Sequence, residues 1–159
     1  MKVYVGKVVS THGIKGEIRI LSDFLYKDKV FIPHMKILIG EKEYVISSYR
    51  HHKNFEMITL EGYSNINDVL FLLKKDVYVE EDALNLSDDE ILDEELITYQ
   101  VLTNNGKKGI IKEIFYASPT NKILRVFFEK EVLIPFQKPF IVEVDKKNKI
   151  VLVELIEGM

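Results

Sequence analysis

Short segments in which apolar and polar residues alternate recur along this chain, and turn-forming residues separate them. In Glu17–Leu21 the isoleucines fall on one face of a strand and the charged residues fall on the other. Gly40-Glu41 and Asn104-Asn105-Gly106 stand between such segments and predict hairpin turns. Several short strands at regular spacing are typical of small barrels. The alternation therefore predicts a mainly β protein.

Two interruptions of the strand pattern divide the chain. From Ser64 onward apolar residues recur at helical spacing (Ile66, Val69, Leu70, Leu73), and Ser64 or Asn65 is a candidate N-cap. Residues 80–95 then contain nine acidic residues and no basic one: Glu80, Glu81, Asp82, Asp88, Asp89, Glu90, Asp93, Glu94 and Glu95. We predict a β-barrel domain with one short helix at 1–82, an acidic linker at 83–95 and a second small β-barrel at 96–159.

Composition narrows the classes of function. The chain has 159 residues, enough for two small domains, and its lack of cysteine excludes disulfides, thiolate catalysis and cysteine-zinc sites. Its N-terminus lacks a signal-peptide pattern, and no apolar run reaches the roughly 20 residues that span a bilayer. We therefore expect a cytoplasmic protein with no membrane partner.

Charge is distributed unevenly along the chain. The net charge of −3 argues against binding naked RNA mainly through phosphates, yet residues 1–36 hold seven Lys/Arg against three Asp/Glu. The acidic stretch is suited to attract a basic partner, and it is equally consistent with a solvated linker.

The segment Ser10–Glu17 contains the first candidate site. Gly13 and Gly16 allow a sharp turn between two strands, and they also let a partner approach the backbone closely. His12 and Lys15 would project from this turn. A Walker pattern is missing and no helix follows, so a phosphate-binding loop of that type is not indicated. A plain connecting turn and a binding loop both remain open.

The histidines do not predict a metal site. His51 and His52 are adjacent, so in a strand they point to opposite faces and cannot easily bind one metal together. With Arg50 and Lys53 they are instead candidates for a basic patch. No nucleophile with an activating base and no marked pair of carboxylates is evident. We therefore expect neither catalysis nor a cofactor.

The third candidate is Leu133-Ile134-Pro135-Phe136, followed by Pro139-Phe140. Phe136 is suited to the second core. Alternatively, an exposed aromatic ring beside a proline would serve as an anchor for a protein partner.

Taken together, these segments resemble the RimM family. VGKVVSTHGIKGEIRI (5–20) is similar to its opening signature, LEGYSNINDVLFLLKKDVYV (60–79) to its helix and following strand, and the segments TNNGKKGIIKEIF (103–115) and EVLIPFQKPFIVEVD (131–145) to its PRC-barrel. The closing residues 155–159 look like the usual ending of the family. The resemblance covers nearly the whole chain.

The resemblance implies a six-stranded N-terminal barrel related to translation-factor barrels, followed by a PRC-barrel. It implies a monomer that binds the head of the immature 30S subunit through small-subunit ribosomal protein 19, touches 16S ribosomal RNA there, and supports its maturation. A stand-alone RNA-binding β-barrel protein is the main alternative. An enzyme built on a reductase-like first barrel is a more distant one.

One departure from the family pattern concerns the partner contact. Where the family usually has a Tyr-Tyr pair before an Asp-Leu-Ile-Gly stretch, this chain has Ile91-Leu92, and Glu95 and Thr98 replace the Asp and Gly. The aromatic pair is associated with the ribosomal contact in the family. Two aliphatic side chains would still anchor a partner by burying apolar area. The residues expected to bind partners are Thr11, His12, Gly13, Lys15 and Gly16 in the first barrel, and Ile91, Leu92, Pro135 and Phe136 in the second.

Overall fold

The computed structural model describes residues 1–87, 90–156 and 158–159, which form two compact units, Met1–Asn85 and Leu86–Met159. Each unit contains six strands in one sheet, so the predicted mainly β fold with two small domains is confirmed. Asp88 and Asp89 of the predicted linker, and Glu157 of the family-like ending, lie outside the described residues.

Unit 1 (Met1–Asn85) is a closed antiparallel barrel with the strand order β1-β2-β5-β4-β3-β6. Its strands are β1 (Lys2–His12), β2 (Glu17–Leu21), β3 (Lys36–Ile39), β4 (Lys42–His52), β5 (Phe55–Leu60) and β6 (Asp76–Glu80). The helical segments are α1 (Lys27–Val30), α2 (Ile66–Val69) and the 3-10 turns Leu70–Leu72 and Glu81–Leu84.

The α2 region confirms one sequence prediction and corrects another. The Asn65 side chain caps the helix by accepting a hydrogen bond from the backbone N–H of Asn67 at 2.9 Å. Leu70, predicted to face the core, is instead 44% exposed, and Leu72 is buried. The reason is that the helix tightens into the 3-10 turn Leu70–Leu72, which has three residues per turn. Val69 and Leu72 are therefore the buried residues of this region, and Ile66 is partly buried.

Unit 2 (Leu86–Met159) begins with the short helix α3 (Asp93–Leu96) and continues as a six-stranded sheet. The strands are β7 (Gln100–Thr103), β8 (Lys108–Ser118), β9 (Asn121–Phe127), β10 (Glu131–Pro135), β11 (Ile141–Asp145) and β12 (Ile150–Val153). Their order is β10-β9-β8-β7-β12-β11, in which β12 and β7 are parallel and the other neighbours are antiparallel.

The described residues of the predicted linker, 83–87 and 90–95, divide between the two units. The division between the units falls after Asn85, inside that stretch. Leu84 is buried, while Ile91 and Leu96 belong to the core of unit 2. Apolar residues spaced among the acids explain the difference, because they anchor the stretch to cores although its composition is polar. Within the described ranges, no helix is long and apolar enough to cross a membrane.

Candidate functional site

The turn between β1 and β2 contains the first set of predicted binding residues. His12 at the end of β1 pairs with Glu17 at the start of β2, and both glycines between them have positive φ, 67° at Gly13 and 83° at Gly16. The Ile14 carbonyl accepts a hydrogen bond from the N–H of Ile66 at 3.0 Å. The turn is therefore fixed against the start of α2.

The two glycines of this turn have different surroundings. A Cβ at Gly16 would lie 2.8 Å from the Tyr63 carbonyl oxygen and 3.1 Å from the Asn65 nitrogen, whereas a Cβ at Gly13 would meet nothing within 4 Å. Gly16 is thus required by packing inside unit 1, and Gly13 only by its backbone conformation. The sequence left a plain connecting turn and a binding loop open, and the packing of Gly16 is what a connecting turn requires.

The outer side of the turn is solvent-exposed. Lys15 and Gly13 are exposed, and Thr11 and His12 are partly buried. Ile14, which sequence analysis did not select as a binding residue, is 77% exposed. Ile14 stands between the two glycines of a tight turn, and such a turn leaves its middle residues outside the core. This position could have identified Ile14 from the sequence.

A group of basic side chains extends from this turn across the neighbouring strands. The Arg19 Nη2 atom lies 2.6 Å from His12 Nδ1, and the rings of His12 and His52 are 6.3 Å apart. Arg19 also lies over the ring of Phe55, 5.7 Å from its centroid. Because a guanidinium only donates hydrogen bonds, His12 Nδ1 accepts, and the neutral His12 ring carries its proton on Nε2. We call His12, Arg19, Arg50, His52 and Lys53 the Arg19 cluster.

The Arg19 cluster has a surplus of positive charge. Arg50 donates two hydrogen bonds to the Glu17 carboxylate, at 2.9 and 2.8 Å, and these bonds lower the pKa of Glu17. No ion pair links Arg19, Lys53 or Lys15 to a carboxylate among the described residues. Partial burial lowers the pKa of His52, and the charges of Arg50 and Lys53 add to the effect. The cluster therefore has the electrostatic character of an anion-binding surface.

The second predicted site lies on unit 2, and its aromatic residue is not an exposed anchor. Pro135 ends β10, and Phe136 is partly buried and packs against the core of the unit. The Lys122 ammonium lies 4.6 Å from the Phe136 ring centroid and 2.8 Å from Asp93 Oδ1, and Tyr116 donates to Asp93 Oδ2 at 2.6 Å. The structure thus favours the core alternative for Phe136.

Ile91 and Leu92, predicted to anchor a partner by burying apolar area, are already buried within the chain itself, at 0% and 4% exposed. Hydrogen bonds hold the surrounding segment in place. Tyr99 donates to Glu95 at 3.0 Å, and Lys146 donates to the carbonyl oxygens of Ser87 and Glu90. With these polar groups bound on the outside, the aliphatic side chains turn inward, Ile91 into the core of unit 2.

One negative charge of the acidic stretch is offset inside unit 2, because Asp93 forms an ion pair with Lys122. Glu95 keeps its charge and accepts a hydrogen bond from Tyr99. Sequence analysis missed Lys122, a lysine only 7% exposed, since a charged residue in an alternating strand is expected to face solvent. Among the described residues, no group of three or more His, Asp or Glu side chains is arranged to hold a metal ion.

A closed six-stranded barrel followed by a second six-stranded β unit defines the chain as a two-domain all-β protein with a cationic surface on its first domain. Residues 3–84 match the model of the RimM N-terminal domain, and residues 93–159 match the model of the RimM PRC barrel domain. The chain belongs to the RimM family.

Relatives match along the whole chain. A protein of Oceanobacillus iheyensis named ribosome maturation factor RimM is 33% identical over 165 residues, which cover 100% of this chain and 97% of the relative. Its namesake in Staphylococcus saprophyticus is also 33% identical, over 167 residues covering 100% and 99% of the two chains. The solution structure of the N-terminal domain of RimM from Thermus thermophilus covers 54% of this chain and 95% of its own, with 16% identity and a TM-score of 0.46.

Proposed function

We propose that this chain is a ribosome maturation factor that assists 30S assembly and 16S rRNA processing by binding, without catalysing a reaction. The observation that carries the proposal is the match of its two units to the two RimM domain models, together with full-length relatives named ribosome maturation factors. The partner is the immature 30S subunit, at its head. The site of action is cytoplasmic and the active form is a monomer.

Unit 1 contacts 16S rRNA in this proposal, through Thr11, His12, Gly13 and Lys15 of the β1–β2 turn and through the Arg19 cluster. Gly16, also predicted as a contact, is buried and instead holds the turn in place. Among the described residues, Glu17 is the one carboxylate that bonds a member of this cluster, and that member is Arg50. Arg19 and Lys53 are therefore available to phosphate oxygens, and guanidinium and ammonium groups supply most protein contacts to a nucleic-acid backbone. Gly13 has open space around it, which allows close approach of the partner backbone.

Unit 2 binds small-subunit ribosomal protein 19 in this proposal, at the end of β10 marked by Pro135 and Phe136. Phe136 packs against the core of unit 2, and the Lys122 ammonium lies over its ring. A partner that contacts Phe136 therefore meets a side chain already held in place. Ile91 and Leu92 contribute indirectly, because their burial fixes the segment that presents exposed Glu94. An acidic surface speeds the encounter with a basic ribosomal protein more than it strengthens the complex.

The test is co-sedimentation of the purified chain with immature 30S particles. We expect the double variant Lys15→Gln, Lys53→Gly to sediment with particles markedly less than the original chain. Lys53 has a φ of 56°, which glycine adopts without strain, so a loss of binding would not reflect unfolding. The matched control is Lys147→Gln, an exposed lysine in the β11–β12 turn of unit 2, which should bind normally.

Failure of the original chain to sediment with immature particles would refute the proposal. Normal processing of 16S rRNA in cells that lack the protein would do the same. The Arg19 cluster specifically favours the second candidate function, a stand-alone RNA-binding protein. Retention by free RNA, with an affinity that falls steeply with salt and no preference for particles, would favour that alternative.

A further inference from the structure

Two large apolar side chains of unit 1, Leu70 and Phe71, are exposed to solvent and take no part in its core. The 3-10 turn Leu70–Leu72 directs Leu72 inward and leaves Leu70 and Phe71 outside, 44% and 51% exposed. An exposed aromatic ring next to a second apolar side chain is a candidate contact surface for a partner. This pair lies on a different part of the sequence from the Arg19 cluster.

One lysine lies over the exposed ring, and two more are close to it along the chain or on the neighbouring strand. The Lys75 ammonium lies 5.8 Å from the Phe71 ring centroid. Lys74 donates its N–H to the Val8 carbonyl at 2.8 Å, and Val8 donates to the Lys75 carbonyl at 3.0 Å, so both lysines are fixed to β1 beside Lys7. The nearest acidic group to Lys7 is Asp76, 4.0 Å away, and Asp68 lies on α2. We call Lys7, Phe71, Lys74 and Lys75 the Phe71 patch.

The backbone at Lys74 is unfavourable for a lysine. Its φ is 69°, in the left-handed region that glycine adopts freely and that other L-residues adopt at an energetic cost. A glycine there would make the same N–H hydrogen bond to Val8 without that strain. Strain of this kind is concentrated at positions where the side chain has a role beyond folding.

We propose that the Phe71 patch is a second nucleic-acid-binding surface, on which the Phe71 ring stacks against an unpaired base of an RNA strand. Lys7, Lys74 and Lys75 then contact the phosphates on either side of that base. Exposed aromatic rings combined with basic side chains are the common design for single-stranded nucleic acid, because every base has a flat face. The three lysines outnumber the two nearby acids, Asp76 and Asp68, and this net positive charge favours RNA over a basic ribosomal protein as the occupant.

The proposal does not rest on the ribosomal role, because binding of a bare oligonucleotide tests it. Fluorescence anisotropy of the full chain is measured with a fluorescein-labelled single-stranded RNA of mixed sequence, and with the same strand in a duplex. We expect Phe71→Leu, which keeps an apolar side chain and removes the ring, to weaken single-strand binding roughly 5- to 100-fold. Duplex binding should change less than twofold, because paired bases present no free face.

Lys74→Gly separates binding from folding. The variant should melt at the same or a higher temperature, yet bind the single strand more weakly and with a shallower dependence of affinity on salt. Phe127→Leu removes an aromatic ring of similar exposure, 43%, from unit 2, and should leave RNA binding unchanged. Single-strand affinity of Phe71→Leu within twofold of the original chain would overturn the proposal. Weaker particle binding by that variant, with unchanged RNA binding, would overturn it too and assign the patch to a protein partner.

Discussion

The turn between β1 and β2 gives the sharpest test of the fold, through Gly16→Ala and its control Gly13→Ala. Both positions have positive φ, so alanine at either one costs about 1–2 kcal/mol of backbone strain. Only at Gly16 would the new Cβ overlap neighbouring backbone, at 2.8 Å from the Tyr63 oxygen and 3.1 Å from the Asn65 nitrogen. Backbone atoms cannot rotate away, so overpacking adds about 1–3 kcal/mol.

We therefore expect Gly16→Ala to lower the free energy of unfolding of unit 1 by about 2–5 kcal/mol, and Gly13→Ala by about 1–2 kcal/mol. For a domain of this size the difference between the variants corresponds to roughly 5–20 °C in melting temperature. Circular dichroism would follow the melt of the full chain, and hydrogen exchange would assign the affected transition to unit 1. Equal losses in the two variants would refute the steric argument.

Three further predictions concern unit 2 and the tyrosines. Ile91→Ala should lower the free energy of unfolding by about 2–5 kcal/mol in a denaturant titration, because Ile91 is fully buried. The control Ile97→Ala, at an exposed position, should change that free energy by under about 0.5 kcal/mol. A small effect at Ile91 would contradict its core position. Asp93→Ala leaves buried Lys122 without its carboxylate and should lower the free energy of unfolding by about 1–3 kcal/mol. Lys122→Met should lower it less, because this variant removes the charge and keeps the contact with Phe136. The reverse order of the two effects would show that the ion pair is unimportant. Burial, and hydrogen bonds to Glu56 and Glu95, raise the pKa of Tyr49 and of Tyr99 to about 12. These values exceed the ordinary tyrosine value of about 10, so the contribution of both groups to stability is complete below pH 10 and is lost as the pH rises through 12. Tyrosinate absorbance should reveal two late-titrating groups, and their absence would contradict the assignment.

Alternation and turn residues were sufficient to predict the fold class, because a closed barrel buries every second side chain of its strands. In Glu17–Leu21, Ile18 and Ile20 are buried as the pattern requires. The position of Leu70 was not predictable in this way. A residue at helical spacing faces the core only while the helix keeps 3.6 residues per turn, and here the helix tightens at residue 70.

The candidate site was only partly predictable, for a similar reason. Charged residues in a short turn such as Lys15 lie at the surface, and sequence analysis identified that turn correctly as an exposed loop. The burial of Ile91 depends on the hydrogen bonds that hold its segment, and their donors are distant in sequence: Lys122 on β9 bonds Asp93, and Lys146 in the β11–β12 turn bonds the Glu90 carbonyl. Arg19 joins His52 in one cluster because β2 pairs with β5 and β5 pairs with β4, and His12 lies between the two side chains. No local sequence pattern encodes the pairing of β2 with β5.

The two sheets differ in how many of their strands have neighbours on both sides. In unit 1 every strand has two neighbours, whereas β10 and β11 end the sheet of unit 2 and have one each. A strand with one neighbour carries backbone donors and acceptors that an extended peptide can pair with. Pro135 at the end of β10 removes one such donor, and the irregular register at Ile141 and Glu143 interrupts β11. Among the described strands, a partner that recognises this protein by adding a strand therefore finds its place on unit 2, and the proline limits how far the pairing extends.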